Sequence, residues 1–253
     1  MDVLNKIKRR WMKLRLQPIR VFCFHQVSEQ YDANVYCKSD WIPLDFLKEY
    51  AEQLQSEGYE FISIEEAYRH IQHDVIRAKK YAVLSADDGM LCQAALLPWL
   101  EERNVPITLF ADLETLDGST CTEPVKNYLK IKNKKDETKH ASLLYLTGEQ
   151  LASLKSPMLS VGMHGVKHVS VQDVQKDKFT DEVLICQREL SKYVTIVPFF
   201  AYPYGKHNSI TDAVLRERGI VPVLIDGEKN YNDVNFIHRE NLEYIYQCQN
   251  HQS

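Results

Sequence analysis

Short apolar runs of strand length alternate along this chain with amphipathic stretches of helix length, and that alternation restricts the fold more than any other feature. Ile19–Phe24 reads as a buried strand, and Leu44–Glu57 as a helix with Leu44, Leu47, Ala51 and Leu54 on one face before Gly58 ends it. Phe61–Ser63 is apolar again, and Ser63 with Glu66 has the S-x-x-E spacing that starts a helix through Ala67 and Ile71. Further strands are expected at Tyr81–Ser85, Ile107–Ala111, Leu159–Met163, Ile196–Ala201, Val221–Ile225 and Phe236–His238. Helices are expected near Ala94–Arg103, from Thr147 and Gln150 onward, around Phe179–Tyr193 and at Ile210–Arg218. The expected class is α/β, with a parallel sheet closed or nearly closed into a barrel. Residues 19–246 read as one catalytic domain, because no Pro/Gly/Ser-rich linker divides them. The polar insertion near 112–145, with its charge run Lys130–Lys139, breaks the pattern. It is either an excursion or flap over the site or a plain solvated loop.

Composition narrows the classes of function. The chain is 44% hydrophobic and 26% charged, as in an ordinary soluble domain, and its net charge of −4 argues against a surface built to hold nucleic acid. Cys23, Cys37, Cys92, Cys121, Cys186 and Cys248 show no C-x-x-C spacing, which favours reduced, packed thiols over a zinc ribbon or redox pair. No apolar run has the length of a membrane span or the look of a secretory signal, so the expected location is cytoplasmic. Residues 1–18 form a basic segment in which Lys6, Lys8, Arg9, Arg10, Lys13 and Arg15 are interleaved with Val3, Leu4, Ile7, Trp11, Met12 and Leu14. Two readings stand: an amphipathic helix on an anionic membrane, giving peripheral contact, or a frayed or surface-packed basic terminus.

In a parallel barrel the loops after the strands meet at one end, and the residues with chemical capacity sit in those loops. Asp87 and Asp88 follow one strand, His164 and His168 another, and Tyr202-Pro203-Tyr204-Gly205 a third. Adjacent strand residues face opposite ways, so one aspartate can face a metal while its neighbour faces water or substrate. Two histidines in H-x-x-x-H spacing, with a carboxylate, form a donor set suited to zinc or a similar divalent ion. Such an ion would act as a Lewis acid, with the second carboxylate removing a proton.

Ser85-Ala86-Asp87-Asp88-Gly89, His164-Gly165-Val166-Lys167-His168 and Ala201-Tyr202-Pro203-Tyr204-Gly205 resemble the first three motifs of the carbohydrate esterase family 4 polysaccharide deacetylases, T-F-D-D-G, H-S/T-x-x-H and R-x-P-Y-G. The strand ending in Phe24-His25 resembles the subgroup acting on poly-N-acetylglucosamine. The resemblance runs from about Ile19 to Arg239 and implies a distorted, incomplete (β/α) barrel. It implies Asp87 as catalytic base, Asp88, His164 and His168 as ligands of a divalent metal, foremost zinc, and the Tyr204 backbone N–H as oxyanion donor. Ala201 stands where the family carries the arginine that holds the catalytic aspartate, so either Asp87 is oriented differently or another cation serves, with Arg239 the candidate and a surface salt bridge its equal alternative role. The family's C-terminal tryptophan and histidine motifs are not evident: only His207, His238 and His251 follow Gly205. His25, which directly follows the strand Ile19–Phe24 and so lies at the end of the barrel that holds the metal loops, is the expected general acid, with a strand-capping histidine the plain alternative and His238 its rival. Trp41, Trp99, Tyr202 and Tyr204 could stack on a sugar, Tyr202 and Tyr204 being the substrate-binding candidates, while large aromatics more often build the core. The leading function is removal of acetyl from an N-acetylated sugar or polysaccharide. Related chemistry on another acylated substrate, or a non-catalytic carbohydrate-binding relic, are the alternatives.

Overall fold

In the computed structural model, which describes residues 16–250, the apolar runs become strands β1 (Ile19–Phe24), β2 (Gln26–Ser28), β3 (Trp41–Pro43), β4 (Tyr59–Phe61), β5 (Lys80–Asp87), β6 (Ile107–Ala111), β7 (Leu159–Met163), β8 (Ile196–Ala201), β9 (Val221–Val223) and β10 (Glu240–Asn241). The basic residues Lys6 to Arg15 lie outside the described residues. One sheet runs β10-β1-β5-β6-β7-β8-β9 with β4 also on β5, while β2 pairs with β3 apart from it. Every pairing is parallel. The sheet curls until its edges are linked by one short stretch: Ile237 bridges Val223 of β9, and β10 then pairs with β1. The fold is thus a distorted (β/α) barrel with a thin seam. The strand expected at Phe236–His238 is corrected to that single bridge, with the strand proper at Glu240–Asn241, and β9 stops at Val223 rather than Ile225.

Strand alternation explains how this sheet is filled and what reaches its mouth. Ile19, Val21, Tyr81, Val83, Phe110, Phe199, Ala201, Val221, Val223 and Ile237 form one buried cluster although they come from opposite edges of the sheet, so they mark the inner face of the curl. The alternate residues Phe22, Phe24, Ala82, Leu84, Leu109, Val161, Met163 and Phe200 pack outward in a larger cluster. The outer face is covered by helices, as a parallel sheet buried on both sides requires. Continuing the inner parity two residues at a time leads to Cys23 and His25 after Val21, to Ser85 and Asp87 after Val83, to Asp112 after Phe110, to His164 after Gly162, and to Arg239 after Ile237. These are the residues at the C-terminal mouth.

The helices are α1 (Leu44–Ser56), α2 (Ile64–His73), α3 (Leu91–Ala94), α4 (Leu97–Arg103), α5 (Glu123–Tyr128), α6 (Lys134–Leu144), α7 (Gly148–Ser153), α8 (Lys176–Leu190), α9 (Ser209–Arg216) and α10 (Leu242–Asn250). Helix α1 buries Leu47, Ala51 and Leu54, one stripe at helical spacing. Ser63 caps α2 by accepting from the Glu66 N–H, and Thr147 and Gln150 form a full capping box on α7. The helix expected near Ala94–Arg103 is two pieces, because Pro98 has no N–H for the Ala94 carbonyl. Helix α10 was not expected at all. The insertion is neither bare loop nor solvated run: it folds into α5 and α6 around Cys121, Val125, Ala141, Leu144 and Tyr145, which pack on Met90 with Val35 and Tyr36. The six cysteines are free thiols. No helix among the described residues is long and apolar enough to cross a membrane.

Candidate active site

Asp87 ends β5 on the inner face, 2% exposed. Arg239, two residues beyond the seam bridge and fully buried, meets it with both arms of its guanidinium: Nη1 donates to Oδ1 at 2.6 Å and Nη2 to Oδ2 at 2.8 Å. The same side chain donates to the Leu224 carbonyl and to Ser85 Oγ, and its guanidinium stands 5.3 Å from the Phe110 ring centre. Burial alone would raise the Asp87 carboxyl, but Arg239, with His164 and His25 further off, outweighs it and holds the carboxyl at about 2. Phe110 in turn is clasped by the bare backbone of Gly162, where a Cβ would stand 2.5 Å from the ring.

Asp88 follows with φ 74, a left-handed conformation that is costly for a residue with a Cβ and that turns its carboxylate into the same mouth instead of leaving it on the outer face. Its Oδ1 lies 3.3 Å from His164 Nε2 and 3.2 Å from His168 Nε2. His168 (φ 48) and Tyr204 (φ 59) share this conformation, so three of the five non-glycine residues with positive φ among the described residues surround one point. His164 Nδ1 is 2.9 Å from the Ala201 carbonyl, which can only accept, so that nitrogen carries a proton and Nε2 is the atom turned to Asp88. Burial favours a neutral Asp88, yet the two imidazoles hold it well below the usual carboxylate range. His168 is raised, its burial being outweighed by Asp88.

The carboxylate oxygen and the two Nε2 atoms all lie within 4.8 Å of one another, and Oδ1 of Asp88 is buried without a hydrogen bond. A carboxylate and two imidazoles aimed at one small space are the donor set of a zinc-type site, so the residues fit a divalent cation.

His25 lies directly after β1. Its backbone N–H donates to Glu243 Oε1 at 2.6 Å, and its Nδ1 is 3.1 Å from the same oxygen. Burial would depress His25, but Glu243, with Asp88 and Asp87, overrides it and lifts the imidazole to about 10. The rival His238 instead pairs with Asp226 away from the hollow.

The centre opens into a hollow of about 220 Å³ lined by His25, Asp87, Asp88, His164, His168 and Tyr204, with Thr122, Pro124 and Val125 of the insertion as one wall. Tyr204 is 51% exposed and packs edge-on to His168. Tyr202 also borders the hollow but has outer parity: it is buried among Phe179 and Phe200, and its hydroxyl donates to Asp212, so it belongs to the core more than to a sugar platform. Trp99 packs against the same core, and Trp41 donates to Ser28 outside the hollow.

Three residues of the site belong to none of the motifs. Glu243 heads the unexpected α10. Gln93 donates to the Asp87 and His25 carbonyls and so clamps the ends of β5 and β1 together. Asp112 is fully buried, with Oδ1 accepting from the Glu114 N–H and Oδ2 unpartnered, and burial lifts it to about 6 against the pull of His164 and His168. Its loop is stitched to the histidine loop by Leu113 N–H to the Gly165 carbonyl and Glu114 N–H to that of Val166. Only Asp112 left a signal, as the first residue after a strand.

The polysaccharide deacetylase family model matches residues 74–223, which span both aspartates, both histidines and the Pro-Tyr-Gly turn. The fold is similar to that of IcaB from Ammonifex degensii, with a TM-score of 0.70 and 18% identity, covering 89% of this chain and 91% of that one. It is also similar to the deacetylase PplD of Streptococcus pyogenes, solved in complex with acetate, with a TM-score of 0.67 and 19% identity over 89% and 92%. A de-N-acetylase from Aggregatibacter actinomycetemcomitans gives 0.66 and 16% over 88% and 94%. No curated protein sequence matches the chain.

Proposed function

Since the chain belongs to the polysaccharide deacetylase family, we propose that it hydrolyses the acetamide of an N-acetylated sugar, with Asp87 as base, His25 as acid and Asp88, His164 and His168 as the holders of a divalent cation, zinc before others. The observation that carries this reading is the doubly bonded Asp87–Arg239 pair set beside three converging ligand atoms. A cation held there would supply Lewis acidity towards the acetyl carbonyl and the attacking water. Asp87, kept ionised and fixed in direction by Arg239, accepts the proton of that water as oxygen bonds to the acyl carbon. The Tyr204 backbone N–H stands as donor for the developing oxyanion. As the C–N bond breaks, the leaving amine takes its proton from Nε2 of His25, whose Nδ1 proton is held by Glu243. Acetate and the free amine result with one proton released to solvent, and the proton taken up by Asp87 is passed through solvent to His25, which restores both residues.

The test separates the two aspartates. Asp88→Ala, His164→Ala and His168→Ala should each lower zinc affinity and acetate release from N-acetylglucosamine oligomers together, because a three-donor site left with two loses its geometry. Asp87→Asn should keep the zinc and lose turnover. Equal zinc loss in the Asp87 and Asp88 variants would refute this division of roles.

A further inference from the structure

Six buried side-chain atoms among the described residues lack a hydrogen-bond partner, and three of them stand at the mouth of the barrel: Oδ1 of Asp88, Oδ2 of Asp112 and Nδ1 of His168. Buried polar groups are normally paired, so this concentration needs a reason. The cation site accounts for the first atom. The other two are an acceptor and a ring nitrogen on adjoining loops, and Asp112 is not one of the three residues whose ligand atoms lie close to one another.

The two ligand histidines are held unequally. Nδ1 of His164 meets the Ala201 carbonyl, which leaves Nε2 for the centre. The His168 ring meets those of His164 and Tyr204 edge-on, at 5.0 and 4.8 Å between ring centres. These contacts hold the plane of the ring, but they do not decide which nitrogen carries the proton. A neutral imidazole that offers Nε2 to a cation keeps its proton on Nδ1, and a buried N–H needs an acceptor.

Asp112 is placed to be that acceptor. It continues the inner parity of β6, and its loop is tied to the histidine loop at three successive points: the His164 N–H donates to the Ala111 carbonyl at 3.0 Å, the Leu113 N–H to that of Gly165 at 3.1 Å, and the Glu114 N–H to that of Val166 at 2.8 Å. Its Oδ1 accepts from the Glu114 N–H at 3.0 Å, a local turn that fixes the carboxylate and leaves Oδ2 free. Burial raises Asp112 against the pull of His164 and His168, and Asp112 joins Asp88 in raising His168 against its own burial, so the two side chains lie within electrostatic reach.

Resting on the reading of Asp88, His164 and His168 as holders of a divalent cation, we infer that Asp112 is the positioning residue of His168: its Oδ2 accepts the Nδ1–H that this histidine carries when Nε2 faces the cation. Asp112 thereby sets the tautomer and direction of one ligand without touching cation or substrate.

The test is Asp112→Asn in the full chain, with zinc affinity read by competition against a chelating dye and the unfolding temperature of the zinc-free form read beside it. Asparagine keeps an oxygen for the Glu114 N–H and puts an amide NH₂ in the place of Oδ2, donor against donor, so zinc should bind about 10–100-fold more weakly. The zinc-free unfolding temperature should hold or rise, because a buried carboxylate short of a partner has been removed. Independently of any variant, nitrogen-15 spectra of the zinc-loaded wild type should show His168 protonated at Nδ1, with that proton at low field and slow to exchange. A proton on Nε2, or one in free exchange with solvent, overturns the inference. Equal zinc affinity in wild type and Asp112→Asn overturns it too while leaving the cation site standing, whereas a wild type that binds no zinc removes both.

Discussion

Arg239 spends all its assigned contacts on the inner wall of the barrel, two of them on Asp87. Replacing it by methionine would strand a buried carboxylate, and breaking a buried pair in this way typically costs about 3–5 kcal/mol. The pH dependence has a definite sign. With Asp87 at about 2 against its ordinary 3.8, the pair's contribution is whole above the ordinary value and is lost as pH falls through the folded one. In Arg239→Met, burial is opposed only by the more distant His164 and His25 and raises Asp87, so the penalty should shrink on acidification as the carboxyl takes up its proton. Denaturant titrations at neutral and mildly acidic pH check this, and a penalty equal at both would contradict it. Glu243 governs the other limb. A general acid works while protonated, so with His25 lifted to about 10 the rate should hold through neutrality and fall as pH rises towards that value. Glu243→Gln removes the largest lifting charge and leaves the burial with the weaker pull of Asp88 and Asp87, and its alkaline limb should move down towards the ordinary histidine range; a pH–rate profile with that limb unmoved would exclude His25 as the acid. The motif residues were legible because each stands at a strand end. Glu243 and Gln93 were not, since they reach His25 across 218 and 68 residues and nothing local marks them.

Among elements, the strands read best where they are buried on both faces, as in β5 and β6, because continuous apolar runs have no other use at that length. The seam was misread for the opposite reason. Ile237 is apolar and buried, but its own N–H and carbonyl bond to Pro222 and Leu224 for a single bridge before the chain crosses to β1, and no periodicity encodes where a segment changes partners. The insertion was legible as an interruption and not as helices: α6 carries the charge run Lys130–Lys139 in part, and only Ala141 and Leu144 of it are buried. Its value to the site lies in α5, whose first turn walls the catalytic hollow. Gly162 shows how element contacts reach the chemistry, since the close approach of β7 to Phe110 sets the floor under Arg239.

For the molecule as a whole, a cation that binds the folded form alone stabilises it by mass action, about 2.7 kcal/mol at a hundredfold excess over Kd. The unfolding temperature of the wild type should therefore climb with zinc concentration and drop with a chelator, and Asp88→Ala should abolish the response; a wild-type temperature indifferent to zinc would speak against the cation site. The seam has a consequence for the timing of synthesis. The ribosome delivers Asp87, Asp88 and both histidines well before Arg239 and Glu243, and until those last residues emerge the aspartate has no counter-ion and the histidine no carboxylate. A nascent chain can thus assemble most of the barrel and still be chemically silent, with hydrolysis switched on by the same few residues that shut the wall.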